Sequence, residues 1–320
     1  MEKAKLYKIG NTLVTVTIVF LCFYYLKSAF DSKVNNIDWD AIYDIIISNY
    51  LFVFVVICFV PINWGIETLK WKWILKDAQY LSWNQSVKSV LSGITMSIIT
   101  PNGIGDYGGR MLGIEKNKIG QALFYNGFLS LSQLLTTFIF GLLGLLLVRE
   151  RLNLPINGAV LSIITMGLIC IGFWIFFKSK FGLGFIKIFL LKYKQLISFE
   201  ISRSLRFQVL FLSFLRYVVF CIQYYLLIQC FNSDIGLVET FSSIAVVYLC
   251  TAIIPTGWFS GLIVRGSVSF FVFQSVLNSG EFGVLASTVL WLINLFLPAL
   301  VGLYYIKSFK LFPVINLEKV

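Results

Sequence analysis

Apolar runs of about 20 residues or more recur along this chain, near 9–30, 45–67, 121–148, 157–177, 207–231 and 284–306. Each is long enough to cross the hydrocarbon core of a bilayer as a helix. Inside lipid the backbone has to satisfy its own hydrogen bonds, because no water is there to do it. The expected fold is therefore an all-α polytopic membrane protein, read as one integral membrane domain over 1–320.

Composition agrees. The chain is 58% hydrophobic and 13% charged, against about a quarter charged in soluble domains. A net charge of +11 would suggest nucleic acid in a soluble protein. Here it is read as the positive charge that holds loops in the cytoplasm, and no nucleic-acid partner is expected. The sequence has no histidine, which removes the commonest general base and metal ligand. The six cysteines lie in or beside apolar segments without CxxC pairing and read as small buried fillers. There is no Walker-type glycine loop. No catalytic residue, metal or cofactor is expected.

Two further apolar segments break at prolines. Val87–Ile99 stops at Pro101, and Phe241–Ile254 stops at Pro255 before resuming from Trp258 to Leu277. Loop charge decides how they run. Lys3, Lys5 and Lys8 place the N-terminus in the cytoplasm, and Lys70, Lys72 and Lys76 mark the next inside loop. The basic stretch from Lys178 to Arg206 also belongs inside, and two full spans already separate it from Lys76. A third crossing would put the most basic loop outside, so Val87–Ile99 is expected to enter from the cytoplasm and return there. The loops holding Glu239 and Glu281 lack lysine and arginine, so the second broken segment is expected to dip in from outside. The scheme is about six transmembrane helices plus two re-entrant hairpins. It is a multi-pass protein of the cell membrane with both termini cytoplasmic. It places Arg149 and Arg151 outside, against the rule.

A shift of 154 positions overlays the two broken segments. Pro101 then meets Pro255, Gly103 meets Gly257, and Arg110 meets Arg265 after a one-residue gap. An odd number of spans between the hairpins makes them point in opposite directions. The arrangement reads as an inverted repeat, with halves near 45–148 and 200–306, of the kind that places transporter sites at broken helices.

The charged residues in these breaks are the candidate substrate-binding groups. In TPNGIGDYGGR, Pro101 ends a helix and Gly103, Gly105, Gly108 and Gly109 permit left-handed or tightly packed backbone. Pro255, Gly257 and Gly261 are the counterparts in the second hairpin. Asp106 and Arg110 are four apart and share a face if helical. Arg110 suits a phosphate and Asp106 a cationic or hydroxyl group. Arg265 has no nearby acid in sequence and suits phosphate, with snorkelling to the interface as the alternative. Arg216 lies inside a span and is expected to meet lipid phosphate or an acid such as Glu67. Glu67, before Lys70, Trp71, Lys72 and Trp73, reads first as an interfacial acid beside an aromatic belt, and as a binding residue second. Gln133 and Asn294 are mid-span amides expected to bond between helices.

These segments together resemble the lysylphosphatidylglycerol synthase transmembrane-region family of flippase-like membrane proteins. The resemblance rests on ETLKWKWIL from Glu67, TPNGIGDYGGRML from Thr100 and IPTGWFSGLIVRGSVSFF from Ile254. Pro101, Gly105, Asp106 and Arg110 match the first family motif; Pro255, Gly261 and Arg265 match the second. The Asp106–Arg110 spacing is one residue longer than is common there. Gly266 stands where glutamate is usual, which weighs against a cationic head group. The resemblance implies a domain that moves lipid between leaflets. The chain ends at Val320 and is not expected to carry the soluble aminoacyltransferase of bifunctional members.

The expected function is thus a lipid flippase or transporter for a phospholipid, aminoacylated or anionic, or for a lipid-linked precursor. The expected partners are that lipid and a separate lipid-synthesising enzyme or glycosyltransferase; oligomeric state is open. The rivals are an intramembrane lipid-modifying transferase with Asp106 as base, and a non-transporting subunit of an envelope-synthesis complex.

Overall fold

The computed structural model describes residues 50–100, 103–178, 200–231, 236–254 and 258–308, with scattered positions between 17 and 49. Every regular element among them is helical: α1 (Tyr50–Leu75), α2 (Trp83–Ile99), α3 (Gly105–Arg110), α4 (Ile119–Val148), α5 (Gly158–Phe177), α6 (Arg203–Phe231), α7 (Leu237–Ile253), α8 (Trp258–Leu277) and α9 (Gly280–Trp291), then a π-helical turn (Leu292–Phe296) and α10 (Leu297–Ser308). Helices α1, α4, α5 and α6, and the continuous stretch Gly280–Ile306, are long and apolar enough to cross a bilayer. The protein is an all-α polytopic membrane protein. The expected span 9–30 lies largely outside the described residues, as do Pro101, Pro255 and Gly257.

Several boundaries differ from expectation. Helix α1 runs on through Lys70–Trp73 to Leu75 instead of ending near 67. Helices α2 and α7 begin at Trp83 and Leu237, four residues before the apolar runs do. Polar first turns hide such starts; in α2 a capping box between Ser82 and Gln85 supplies the signal.

Helices α1 and α6 pack antiparallel. Asn49 Nδ2 donates to the Cys230 carbonyl at 3.2 Å, Gln223 Nε2 to the Val56 carbonyl at 2.9 Å, and Lys70 Nζ to Ser213 Oγ at 3.2 Å.

The first hairpin leaves and returns at the α1–α2 loop. Gly105 lies against the Met96 backbone and Gly109 against Ser92 and Gly93, so α3 runs back along α2. Gln79 then bonds the Gly113 carbonyl (3.2 Å) and the Glu115 amide (2.9 Å), which returns the chain to where α2 began. The second hairpin comes from the other end. Gly141 of α4 lies against Leu249 and Ala245, and Gly144 against Ser242, so α7 descends antiparallel to α4. Helix α8 climbs back until the Val276 carbonyl meets Arg151 Nη1, just past α4, at 3.2 Å.

The 154-residue offset holds for the first arms, since α2 and α7 both have 17 residues. It fails for the second arms: α3 has six residues and α8 has 20. Contacts cross between the halves. Helix α2 touches α10, where Thr95 Oγ1 donates to the Ala299 carbonyl at 2.8 Å and Gly302 lies on Leu91. Helix α7 touches α4 through the glycines above. Small residues at both seams let backbones approach, the usual device for packing helices in lipid.

Candidate functional site

Helix α1 presents Asn63, Glu67 and Lys70 at spacings of four and three, one stripe on a mostly apolar helix. All three are buried, Lys70 completely. The interfacial reading of Glu67 is therefore corrected: because α1 continues to Leu75 and α6 packs beside it, the carboxylate sits inside the protein. Lys70, read from the sequence as a loop charge, is buried with it.

Glu67 is the hub of an ionic cluster. Its Oε1 accepts from Arg110 Nη2 at 2.8 Å, and its Oε2 faces Lys70 Nζ at 2.8 Å and Arg216 Nη1 at 3.0 Å. Arg110 Nε also donates to Asp106 Oδ1 at 2.9 Å, the pairing expected from their spacing. The second Asp106 oxygen accepts from Asn126 Nδ2 of α4 at 3.0 Å. Arg216 Nε donates to Asn63 Oδ1 at 2.8 Å, and its guanidinium stacks 4.8 Å from the Trp64 ring. One carboxylate thus ties together α1, the first hairpin and α6. Removing one partner of such a buried network leaves an uncompensated charge, which is costly.

The hairpin that carries Arg110 is held by local chemistry. Gly103 has φ +66°, the left-handed region that glycine adopts without penalty. Thr100 Oγ1 accepts from the Gly105 amide at 2.6 Å. A side chain at Gly105 or Gly109 would collide with the α2 backbone, whereas Gly108 faces open space; tight packing expected of Gly108 is thus not found. Ser89 Oγ donates to the Arg110 carbonyl at 2.7 Å and accepts from Trp71 Nε1 at 2.9 Å.

An amide chain continues from the cluster. Asn63 Nδ2 donates to Asn294 Oδ1 (3.2 Å), and Asn294 Nδ2 to Gln223 Oε1 (3.1 Å). Asn294 lies in the π turn, whose own carbonyl accepts from Trp64 Nε1 at 3.0 Å. Single-turn π segments are frequent at functional sites. Gln133 bonds Lys70 and the Ser213 carbonyl, each at 3.4 Å. Both amides bond between helices, as the sequence suggested. Asn63, Lys70, Asn126 and Gln223 were missed, although the stripe on α1 was there to be read.

Beside the cluster lies a cavity of about 300 Å³. Arg216 and Arg265 supply its cations, and Trp64, Tyr248 and Trp291 are among its aromatic walls. A smaller cavity of about 170 Å³ shares Arg265, Thr251, Trp291 and Leu295 with it, and reaches Thr100, Gly103 and Gly261 of the two hairpins. Among the described residues no carboxylate lines either one. Arg265 is partly buried; its Nε is sealed from solvent and makes no hydrogen bond. No ion pair holds it among the described residues. The structure therefore joins Glu67, Asp106, Arg110 and Arg216 directly, and leaves Arg265 across the cavity from them.

The chain matches the family described as the lysylphosphatidylglycerol synthase TM region over residues 12–302. It belongs to that family. Membership extends over nearly the whole chain, so both hairpins, the ionic cluster and the cavity fall within the family's membrane region. No curated protein matches the chain in a sequence search.

Proposed function

We propose that this member of the lysylphosphatidylglycerol synthase TM family moves a lipid between leaflets, with the head group passing through the cavity between α6 and α8. One observation carries the reading: two arginines line a cavity walled by aromatic rings, with no acid among the described lining residues, and Arg265 also lines a second cavity that reaches Thr100, Gly103 and Gly261 of the two hairpins. Hairpins entering from opposite ends give a head group a polar path from each side, while the tails stay in lipid. The halves act as an inverted repeat that rocks about the α1–α6 seam. The loops holding Lys76, Lys116 and Lys118 face the cytoplasm of the cell membrane, by the charge rule. The transferase rival is less favoured, because Asp106 is engaged with Arg110 and Asn126 and is not among the residues that line either cavity.

The test is leaflet-resolved lipid movement in proteoliposomes containing the full chain and fluorescent lipids with different head groups. Movement of one class, lost in Arg265→Gln while that variant keeps its unfolding temperature within a few degrees, is the expected result. No movement of any lipid above empty vesicles would sink the transport reading.

A further inference from the structure

The cavity's charge is out of balance, and the imbalance has a chemical sign. Three cations, Lys70, Arg110 and Arg216, face two carboxylates, Glu67 and Asp106, within bonding distance. Arg265 adds a further cation, with no acid paired to it among the described residues. The local excess is two positive charges, in a setting where an unpaired buried charge is costly. The two lining arginines belong to different helices, α6 and α8, and so approach the same volume from separate walls. Guanidinium forks hold phosphate oxygens bidentately. A positively charged head group has no carboxylate to meet among the residues that line either cavity.

We propose that the site takes a phosphate group carrying about two negative charges, a phosphomonoester or a diphosphate, and discriminates against zwitterionic and cationic head groups. This rests on the transport reading only for the origin of the ligand; the anion site follows from the cavity itself. Arg216 and Arg265 hold the phosphate from two helices, and Trp64, Tyr248 and Trp291 line the same space. A volume of about 300 Å³ is at the lower end for ligand pockets. It suits a phosphate with a small attached group, with any tails left outside.

The test is equilibrium binding to the full chain in nanodiscs of phosphatidylcholine. The probes are phosphatidic acid (phosphomonoester), phosphatidylglycerol (single charge), lysyl-phosphatidylglycerol (net positive), and soluble inorganic phosphate and pyrophosphate. Phosphatidic acid or pyrophosphate should bind best, phosphatidylglycerol more weakly, and the lysyl lipid not detectably. Arg265→Gln should weaken the preferred probe about tenfold to a hundredfold, the loss expected for one charge-assisted arginine contact, with its unfolding temperature unchanged or raised. Arg265→Lys should restore part of the affinity. Equal binding by phosphatidic acid and pyrophosphate would support the site and assign it to a soluble anion; binding by the lipid alone would support it and assign it to a head group. Tightest binding by the lysyl lipid, or an Arg265→Gln variant that binds as wild type, would overturn the proposal even if lipid movement is seen. Strong dianion binding without movement would instead overturn the transport reading alone.

Discussion

Glu67 and Arg216 are 149 positions apart in the chain and 3.0 Å apart in space. Their contact is what turns a polar stripe on α1 and a mid-helix cation on α6 into one cluster, joined by Arg110 of the first hairpin.

Glu67→Gln should be among the most damaging single changes. It strips three cations of their shared acceptor without altering the shape of the side chain. Breaking a buried pair from one side typically costs about 3–5 kcal/mol, and thermal unfolding in detergent should show a fall of that size. Adding Lys70→Met to Glu67→Gln should recover part of it, because the double change leaves one fewer orphaned cation. A Glu67→Gln variant as stable as wild type would mean that the cluster does not hold the helices together.

The neighbouring glycines of α3 should respond in opposite ways to alanine. Gly109→Ala drives a Cβ into the Ser92 backbone and should destabilise by at least about 2 kcal/mol, as overpacking does. Gly108→Ala meets open space and should be neutral, or stabilise by up to about 1 kcal/mol from helix propensity. Unfolding temperatures of the two variants, measured side by side, decide it.

Hairpin topology is open to labelling. In a background lacking the native cysteines, Lys76→Cys and Lys116→Cys should react with a membrane-impermeant maleimide from the same side. Arg151→Cys should react from the other side only, since it lies past α4 beside the far end of α8. Labelling of positions 76 and 116 from opposite sides would contradict the re-entrant path.

Asn294→Leu removes a buried amide that links Asn63 to Gln223. Two partners are then left unsatisfied, at roughly 1–3 kcal/mol each. Asn294→Asp should be no better, because Gln223 and Asn63 together offer it both an acceptor and a donor. Stability of the two variants in detergent, compared with wild type, is the measurement.

Much of the architecture was legible because lipid leaves few choices. Run length marked α4, α5 and α6, and the parity of basic loops gave two hairpins that enter from opposite ends. Pairing of Asp106 with Arg110 followed from helical spacing alone. Glu67 was harder. The Lys-Trp-Lys-Trp sequence after it looks like a membrane interface, and only the packing of α6 alongside shows that Lys70 and Glu67 are enclosed. The π turn at Asn294 left no sequence mark, since it sits in an apolar run and its carbonyl meets Trp64 of a distant helix. The cavity was invisible for a similar reason: Arg216, Tyr248, Arg265 and Trp291 lie on four helical elements, and nothing in their sequence positions says that they share a space.

Arg216 serves two surfaces at once: its Nη1 rests on Glu67 and its side chain lines the cavity. An anion arriving in that cavity meets a cation already engaged. It has to share Arg216 or draw it away, and whatever it gains from the guanidinium is subtracted from the grip of α6 on α1. Occupancy and the firmness of that seam are then linked quantities: a ligand that loosens the seam is, by reciprocity, bound more tightly when the seam is already loose.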